Sequence, residues 1–166
     1  MITGRLRLLT AGESHGPSMT AILEGVPAGL PIGAAELAPD LARRRGVGGG
    51  GHPYPGASAR MSVEDDEVEL SGGVVAGRTT GAPIAFVARN RDHQAWRGRA
   101  IEPVTVPRPG HADLAAAVKY RYDDLRVGFE RASARETVVR VAAGAVCRRL
   151  IAEFGVRVGS YVTAIG

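Results

Sequence analysis

The sequence predicts an α+β domain, and three observations predict it. Alternating or β-rich segments come first, at Arg5–Leu8, Met19–Val26, Glu67–Leu70 and Ile84–Ala88. Helical periodicity takes over after Arg108. There Val138, Val141, Ala142, Ala145 and Val146 form an apolar stripe at i, i+3, i+4, i+7 and i+8. A length of 166 residues suits one domain, 1–166, with a core large enough to fold alone.

In chain order, the first strand runs into Thr10–Gly16, where Gly12 and Gly16 bracket Glu13, Ser14 and His15. Glycines there let backbone approach a ligand closely. Ser14 beside His15 does not read as a hydrolase. Adjacent loop residues seldom align as nucleophile and base, and no G-x-S-x-G elbow is present. The second strand, Met19–Val26, closes at Pro27-Ala28-Gly29. A helix over Ala34–Arg45 follows, with Pro39 inside it and Leu37, Ala38 and Leu41 on one side. Its terminal Arg43-Arg44-Arg45 suits the negative end of a helix dipole.

Residues 46–59 are rich in glycine and proline and predict a mobile loop. The spacing fits neither a phosphate-binding P-loop nor a dinucleotide fingerprint. Arg60–Val63 and Glu67–Leu70 read as strands about an acidic turn at Asp65-Asp66, and Gly72-Gly73 makes another turn. After the Ile84–Ala88 strand, Asn90–His93 reads as a polar loop ending at Trp96. Arg108-Pro109-Gly110 is a rigid turn, and a helix is expected from His111, with Asp113 in its first turn. Leu114, Ala117, Val118 and Tyr122 follow at helical spacing, and Asp123-Asp124 and Gly128 break the pattern. Ser133-Ala134-Arg135-Glu136 reads as a capping box opening the long helix. Val156–Ile165 alternates as a final strand.

The second helix start carries the chemistry. A helix N-terminus has unpaired N–H groups and about half a positive charge. Arg131 and Arg135 flank this one, with Ser133 between them. An anion docked there would gain about 4 kcal/mol per charge pair at ~4 Å and an effective dielectric of ~20, before desolvation. The plainer reading is a simple cap with both arginines in solvent.

Composition narrows the function classes. Basic residues number 21 against 17 acidic, a net charge of only +4, so no polybasic surface is implied. Lys119 is the only lysine, and arginine is the better fork for phosphate and carboxylate. Aromatic residues make up 5%, too few to interleave with the Arg-Gly segment as a nucleic-acid stacking surface. Cys147, the one cysteine, lies on the apolar helix face and reads as a packed hydrophobe. One cysteine gives neither an internal disulfide nor a zinc pattern, and no other metal site is expected. No signal peptide is evident. The apolar run Val141–Cys147 is too short to span a bilayer.

The motifs AGESHG, RPGHAD and ERASARETVVRVAAGAV, with GRTTGAPIAFVARNRD and the RRR cluster, resemble the chorismate synthase family over nearly the whole chain. Family chains are more than twice this length, so the resemblance is to an amino-terminal part. It implies a β-α-β sandwich, with antiparallel sheet packed on helices, assembled as a cytoplasmic homotetramer. The implied reaction is anti elimination of phosphate from 5-enolpyruvylshikimate 3-phosphate to chorismate, with reduced FMN, and NADPH where the protein reduces its own flavin. By resemblance His15 protonates the leaving phosphate and His111 protonates or holds the reduced flavin. Arg60, Arg108 and Arg135 clamp substrate, Arg131, Ala132 and Ser133 contact FMN, and Arg44 contacts NADPH. The loop at 46–59 is longer than the family's and lacks its middle arginine. An alternative is a non-catalytic remnant that still binds flavin and anions.

Overall fold

A computed structural model describes residues 5–46, 67–91, 93–96, 98, 102–161 and 163–164. Four strands form one antiparallel sheet: β1 (Arg7–Ala11), β2 (Ser18–Glu24), β3 (Val68–Gly72) and β6 (Ile84–Arg89), in the spatial order β1-β2-β6-β3. Alternation makes one face apolar. Met19, Ala21 and Leu23 of β2 lie opposite Ala88, Phe86 and Ile84 of β6, and all six are buried. The hairpin β4 (Val74–Val75) and β5 (Arg78–Thr79) turns through Ala76 and Gly77, both at positive φ. That geometry matches the right-handed twist of a two-residue hairpin.

Helices α1 (Ala34–Arg44) and α5 (Thr137–Ala152) pack on each other, and α5 lies along β2 and β6. The stripe read from the sequence delivers Val138, Ala142, Ala145 and Val146 to the core, together with Val139 and Ala143. Leu37 and Leu41 bring α1 to the same core. The α+β class therefore holds, with an antiparallel sheet packed on helices. Among the described residues there is one such layer pair; a second sheet of a sandwich is not among them. The loop 47–59, Arg60, the Arg60–Val63 strand and the Asp65-Asp66 turn lie outside the described residues.

Several elements differ from expectation. The first strand spans Arg7–Ala11, because pairing with β2 sets its limits, from Arg7 opposite Glu24 to Ala11 opposite Thr20. The polar loop after β6 contains a short helix, α2 (His93–Trp96). Gly128 does not break a helix but sits inside one, α4 (Arg126–Arg131). A Cβ there would lie 2.5 Å from the Ala116 Cβ, so the glycine lets α4 approach α3 (Asp113–Tyr120) closely. The α3 stripe is not core: Leu114 and Val118 are 59% and 74% exposed, and the buried residue of that helix is Asp113.

The strand expected over 156–165 is absent among the described residues there. A strand exists only through a neighbour's hydrogen bonds. Here the Val156 N–H instead returns to the Ile151 carbonyl at 3.2 Å and closes the end of α5. Val156, Val158 and Tyr161 are exposed.

The core account predicts that Phe86→Ala lowers unfolding free energy by about 3–5 kcal/mol. Leu9→Ala, at a side chain 72% exposed, shifts it by less than about 0.5 kcal/mol. Urea denaturation followed by circular dichroism measures both, and equal losses would contradict this core assignment.

Candidate active site

Between β1 and β2 the chain runs through residues 12–17 without regular structure, yet it is held from three directions. Gly12, at φ +121°, makes the first close approach: a Cβ there would be 2.5 Å from the Ser18 carbonyl. From the end of α4, the Glu130 carbonyl accepts the Ser14 N–H at 3.0 Å. The Glu130 carboxylate accepts the His15 N–H at 2.8 Å and reaches His15 Nδ1 at 2.6 Å. From the turn after α4, Ser133 Oγ donates to Ser14 Oγ at 3.0 Å. Beyond β6, Asn90 Nδ2 donates to the carbonyls of Ser14 (3.1 Å) and Gly16 (2.9 Å), and His93 Nδ1 donates to the His15 carbonyl at 3.0 Å. Ser14 is buried as a result, and Asn90 with it.

The turn itself departs from a capping box. Ser133 caps a 3-10 turn, Ala134–Glu136, by accepting from the Arg135 N–H at 3.5 Å, and α5 begins only at Thr137. The Glu136 carboxylate turns instead to Arg140 Nε, at 2.6 and 2.8 Å. Burial pushes the Glu136 carboxyl upward, but hydrogen bonds from Arg140 and Thr10 and the charges of Arg140 and Arg131 outweigh it and hold the group below its ordinary range.

The two arginines expected to flank a bare helix terminus therefore have internal partners. Arg131 donates to the Thr10 carbonyl (2.9 Å) and hydroxyl (2.8 Å) and lies 3.9 Å from Glu136. Arg135 is buried and donates to the Arg89 carbonyl at 3.1 Å. Arg44 reaches across from α1 to Thr137 Oγ1 (3.0 Å) and the Ala134 carbonyl (3.2 Å). The three guanidinium groups thus donate to the carbonyls of Thr10, Arg89 and Ala134.

A second cluster lies where the chain enters α3. Arg108 grips Asp113 with a fork, Nε to Oδ2 at 2.8 Å and Nη2 to Oδ1 at 2.9 Å, and its backbone N–H adds a third bond at 3.1 Å. The guanidinium lies 4.2 Å from the Phe129 ring centroid, a cation–π contact. His111 Nδ1 is 3.0 Å from both Asp113 Oδ1 and Arg108 Nη2. Nδ1 can give a proton to the carboxylate or take one from the guanidinium, but not both. Either way Nδ1 is committed and Nε2 is the remaining edge. The Arg108 side-chain hydrogen bonds hold the Asp113 carboxyl far below the usual carboxylate range, although burial opposes them. The same bonds raise Arg108.

Several of the site residues expected from the sequence contact the segment Phe129–Thr137. His15 binds Glu130, Arg108 stacks on Phe129, His111 stands one contact further out, and Arg44 meets Ala134 and Thr137. Arg60 lies outside the described residues. A groove of about 530 Å³ opens beside this segment, lined by Glu13, Ala112, Ala116, Tyr120, Arg131 and Ala132 among others. Sequence reasoning missed Glu130, Thr10, Asn90 and His93 as site residues, and read Asp113 only as a first-turn acid. Their partners are far away in sequence, 115 residues in the case of Glu130 and His15, and no spacing rule spans that. Burial pushes the Cys147 thiol up, as expected for a core side chain. Among the described residues no cluster of histidine, cysteine and carboxylate could hold a metal ion, and no helix is long and apolar enough to cross a membrane.

Residues 6–166 match the family described as Chorismate synthase. The chain belongs to that family. A chorismate synthase of Aquifex aeolicus is 52% identical over 171 residues, which cover 97% of this chain and 41% of that protein. One of Streptococcus thermophilus is 49% identical over 172 residues, covering 97% and 42%. A crystal structure of chorismate synthase superposes with a TM-score of 0.68 at 42% identity, over 93% of this chain and 36% of that one. The chain thus spans about two fifths of the length of the chorismate synthases it resembles.

The Asp113 cluster has a pH signature. Its folded pKa lies below the unfolded value of ~3.9. Its contribution to stability is therefore complete above that value and is lost as pH falls below it. Asp113→Asn should cost about 1.5–3 kcal/mol at pH 7, and should lose less further stability than the parent between pH 5 and pH 3. Denaturant melts across that range check both; parallel losses in the two proteins would contradict the assignment.

Proposed function

We propose that this chain carries part of the active site of a chorismate synthase. The reaction is anti elimination of phosphate from 5-enolpyruvylshikimate 3-phosphate, giving chorismate. One observation carries the reading further than family membership does: His15 and His111 each have Nδ1 held by a partner within the chain, which fixes the orientation of the ring. A ring oriented in this way can deliver or hold a proton at a fixed point.

In this reading His15 donates its Nε2 proton to the departing phosphate. Arg60, Arg108 and Arg135 hold the substrate's phosphate and carboxylates, and the paired carboxylate of Asp113 keeps the Arg108 fork in one orientation. Preorganised positive charge around a leaving phosphate is worth more than charge recruited from mobile side chains. Arg60 rests on sequence resemblance alone.

The groove suits a flat heterocycle. Ala112 and Ala116 line it without bulk, Tyr120 and Tyr122 line it with stacked rings 5.4 Å apart, and Arg131 supplies positive charge. Arg131, Ala132 and Ser133 would hold reduced FMN there, and His111 would keep a proton at Nε2 against it. Bound reduced FMN supplies a transient electron and accepts the proton lost by the substrate. Arg44 would contact NADPH in a protein that reduces its own flavin. The working protein is a cytoplasmic homotetramer in this reading, with neither nucleic acid nor membrane as partner.

His15→Ala and His111→Ala are expected to lower turnover of the active enzyme by roughly 10²–10⁴-fold, with anaerobic chorismate formation from chemically reduced FMN as the assay. Near-parental turnover in either variant rejects that histidine's role. Flavin binding without product in the parent protein would favour the remnant reading.

A further inference from the structure

We propose that Glu130 is the positioning residue of His15, fixing which ring nitrogen of that histidine meets the substrate. The inference rests on the elimination reading for its chemical consequence, but its structural part stands on geometry alone. Glu130 lies near the end of α4 and divides its two carboxylate oxygens between two groups of one residue. Oε1 lies 2.6 Å from His15 Nδ1, and Oε2 accepts the His15 backbone N–H at 2.8 Å. The Glu130 carbonyl takes the N–H of the preceding residue, Ser14, at 3.0 Å. One glutamate therefore fixes the ring, the backbone that carries the ring, and the residue before it.

This is not a surface ion pair. The two side chains are 21% and 14% exposed, so water competes weakly for the bond. With both oxygens engaged, the carboxylate cannot pivot to follow a moving ring. The His93 Nδ1 bond to the His15 carbonyl, at 3.0 Å, closes the remaining backbone freedom.

The consequence is a defined tautomer. An ionised carboxylate only accepts hydrogen bonds, so the Nδ1 facing it carries the hydrogen. Neutral His15 then has its lone pair on Nε2, and the protonated ring has its transferable proton there. When the substrate C–O bond breaks, the electron pair leaves with the phosphate oxygen, and the Nε2 proton passes to that oxygen. His15 is left neutral with its Nδ1 hydrogen still on Glu130. No proton crosses to the glutamate. Free imidazole side chains favour the opposite tautomer, so the carboxylate imposes an orientation that the ring would not choose.

The test reads the ring directly. The chain is labelled with ¹⁵N-histidine, and long-range ¹H–¹⁵N spectra of the neutral ring are recorded for the parent, Glu130→Gln and Glu130→Ala. His15→Gln assigns the signal, and backbone amides of α5 check the fold. The parent should show His15 mainly with hydrogen on Nδ1. Glu130→Ala should move the population to Nε2–H, and Glu130→Gln, which keeps the volume and one acceptor, should give a mixture. In the active enzyme Glu130→Gln should lower kcat by at least about tenfold with KM changed less than about twofold, and Glu130→Asp should recover part of the loss. A parent ring with hydrogen on Nε2, or a tautomer unchanged in Glu130→Ala, would overturn the assignment. If the tautomer moves as expected while kcat of the active enzyme is unchanged, Glu130 keeps its role in setting the ring and the elimination reading of His15 falls.

Discussion

A loop with no regular structure, residues 12–17, is held against the junction of α4 and α5 by hydrogen bonds to charged and buried groups, and the site depends on that junction. Bonds to charged groups contribute about 1.5–3 kcal/mol each, enough to overcome the entropy of ordering the few residues they touch. The sheet sets the starting points, since β1 and β2 pair from Ala11–Thr20 back to Arg7–Glu24 and leave the loop at one end of the sheet. Helix α5 sets the other side. Its buried face fixes the helix on β2 and β6, so its first turn cannot drift. Ser133 and Arg135 are placed by that packing, and Glu130 by the packing of α4 on α3.

Two consequences follow for the electrostatics. Arg44 on α1 and Arg131 and Arg135 around the 3-10 turn bring positive charge to the junction, and Arg108 before α3 stacks on Phe129 of α4. This charge is not bare. Asp113, Glu130 and Glu136 stand among the cations, and hydrogen bonds and nearby charge hold Asp113 and Glu136 ionised against burial. The carboxylates cost some attraction for an anionic ligand and give direction in return: each fixes a guanidinium or imidazole in one pose. Small residues do the complementary steric work. Gly128 against Ala116 brings α4 onto α3, and Ala112 and Ala132 leave room in the groove beside them.

How far the sequence disclosed this differs by element. The α5 stripe was legible because a long buried helix shows a clean 3.6-residue period. The Met19–Val26 and Ile84–Ala88 strands were legible because they are central and half-buried. Asp123-Asp124 do lie in the break between α3 and α4, whereas Gly128 misled because glycine weakens a helix in isolation but is required where two helices touch, and only the fold shows the touch. The α3 periodicity gave the right element, although its apolar positions Leu114 and Val118 are exposed. The alternation at 156–165 misled because alternation records a tendency, while a strand needs a neighbour's backbone.

For the candidate site, histidines and arginines in glycine-rich motifs marked segments that contact α4 and the 3-10 turn, since their chemistry is evident in their side chains. The carboxylates that orient them were not legible. Glu130 reads as an ordinary helical glutamate, and its partner is 115 residues away. The capping box misled for a related reason: Glu136 found a better partner in Arg140 than in the backbone it was expected to cap.

Amide hydrogen exchange at Ser14 and His15 tests the central claim most directly, because those two N–H groups are given to Glu130 although they lie in a loop near the surface. The account predicts that both exchange slowly, opening together with the first turn of α5. Exchange of either at the rate of an unprotected peptide, with α5 still protected, would contradict it.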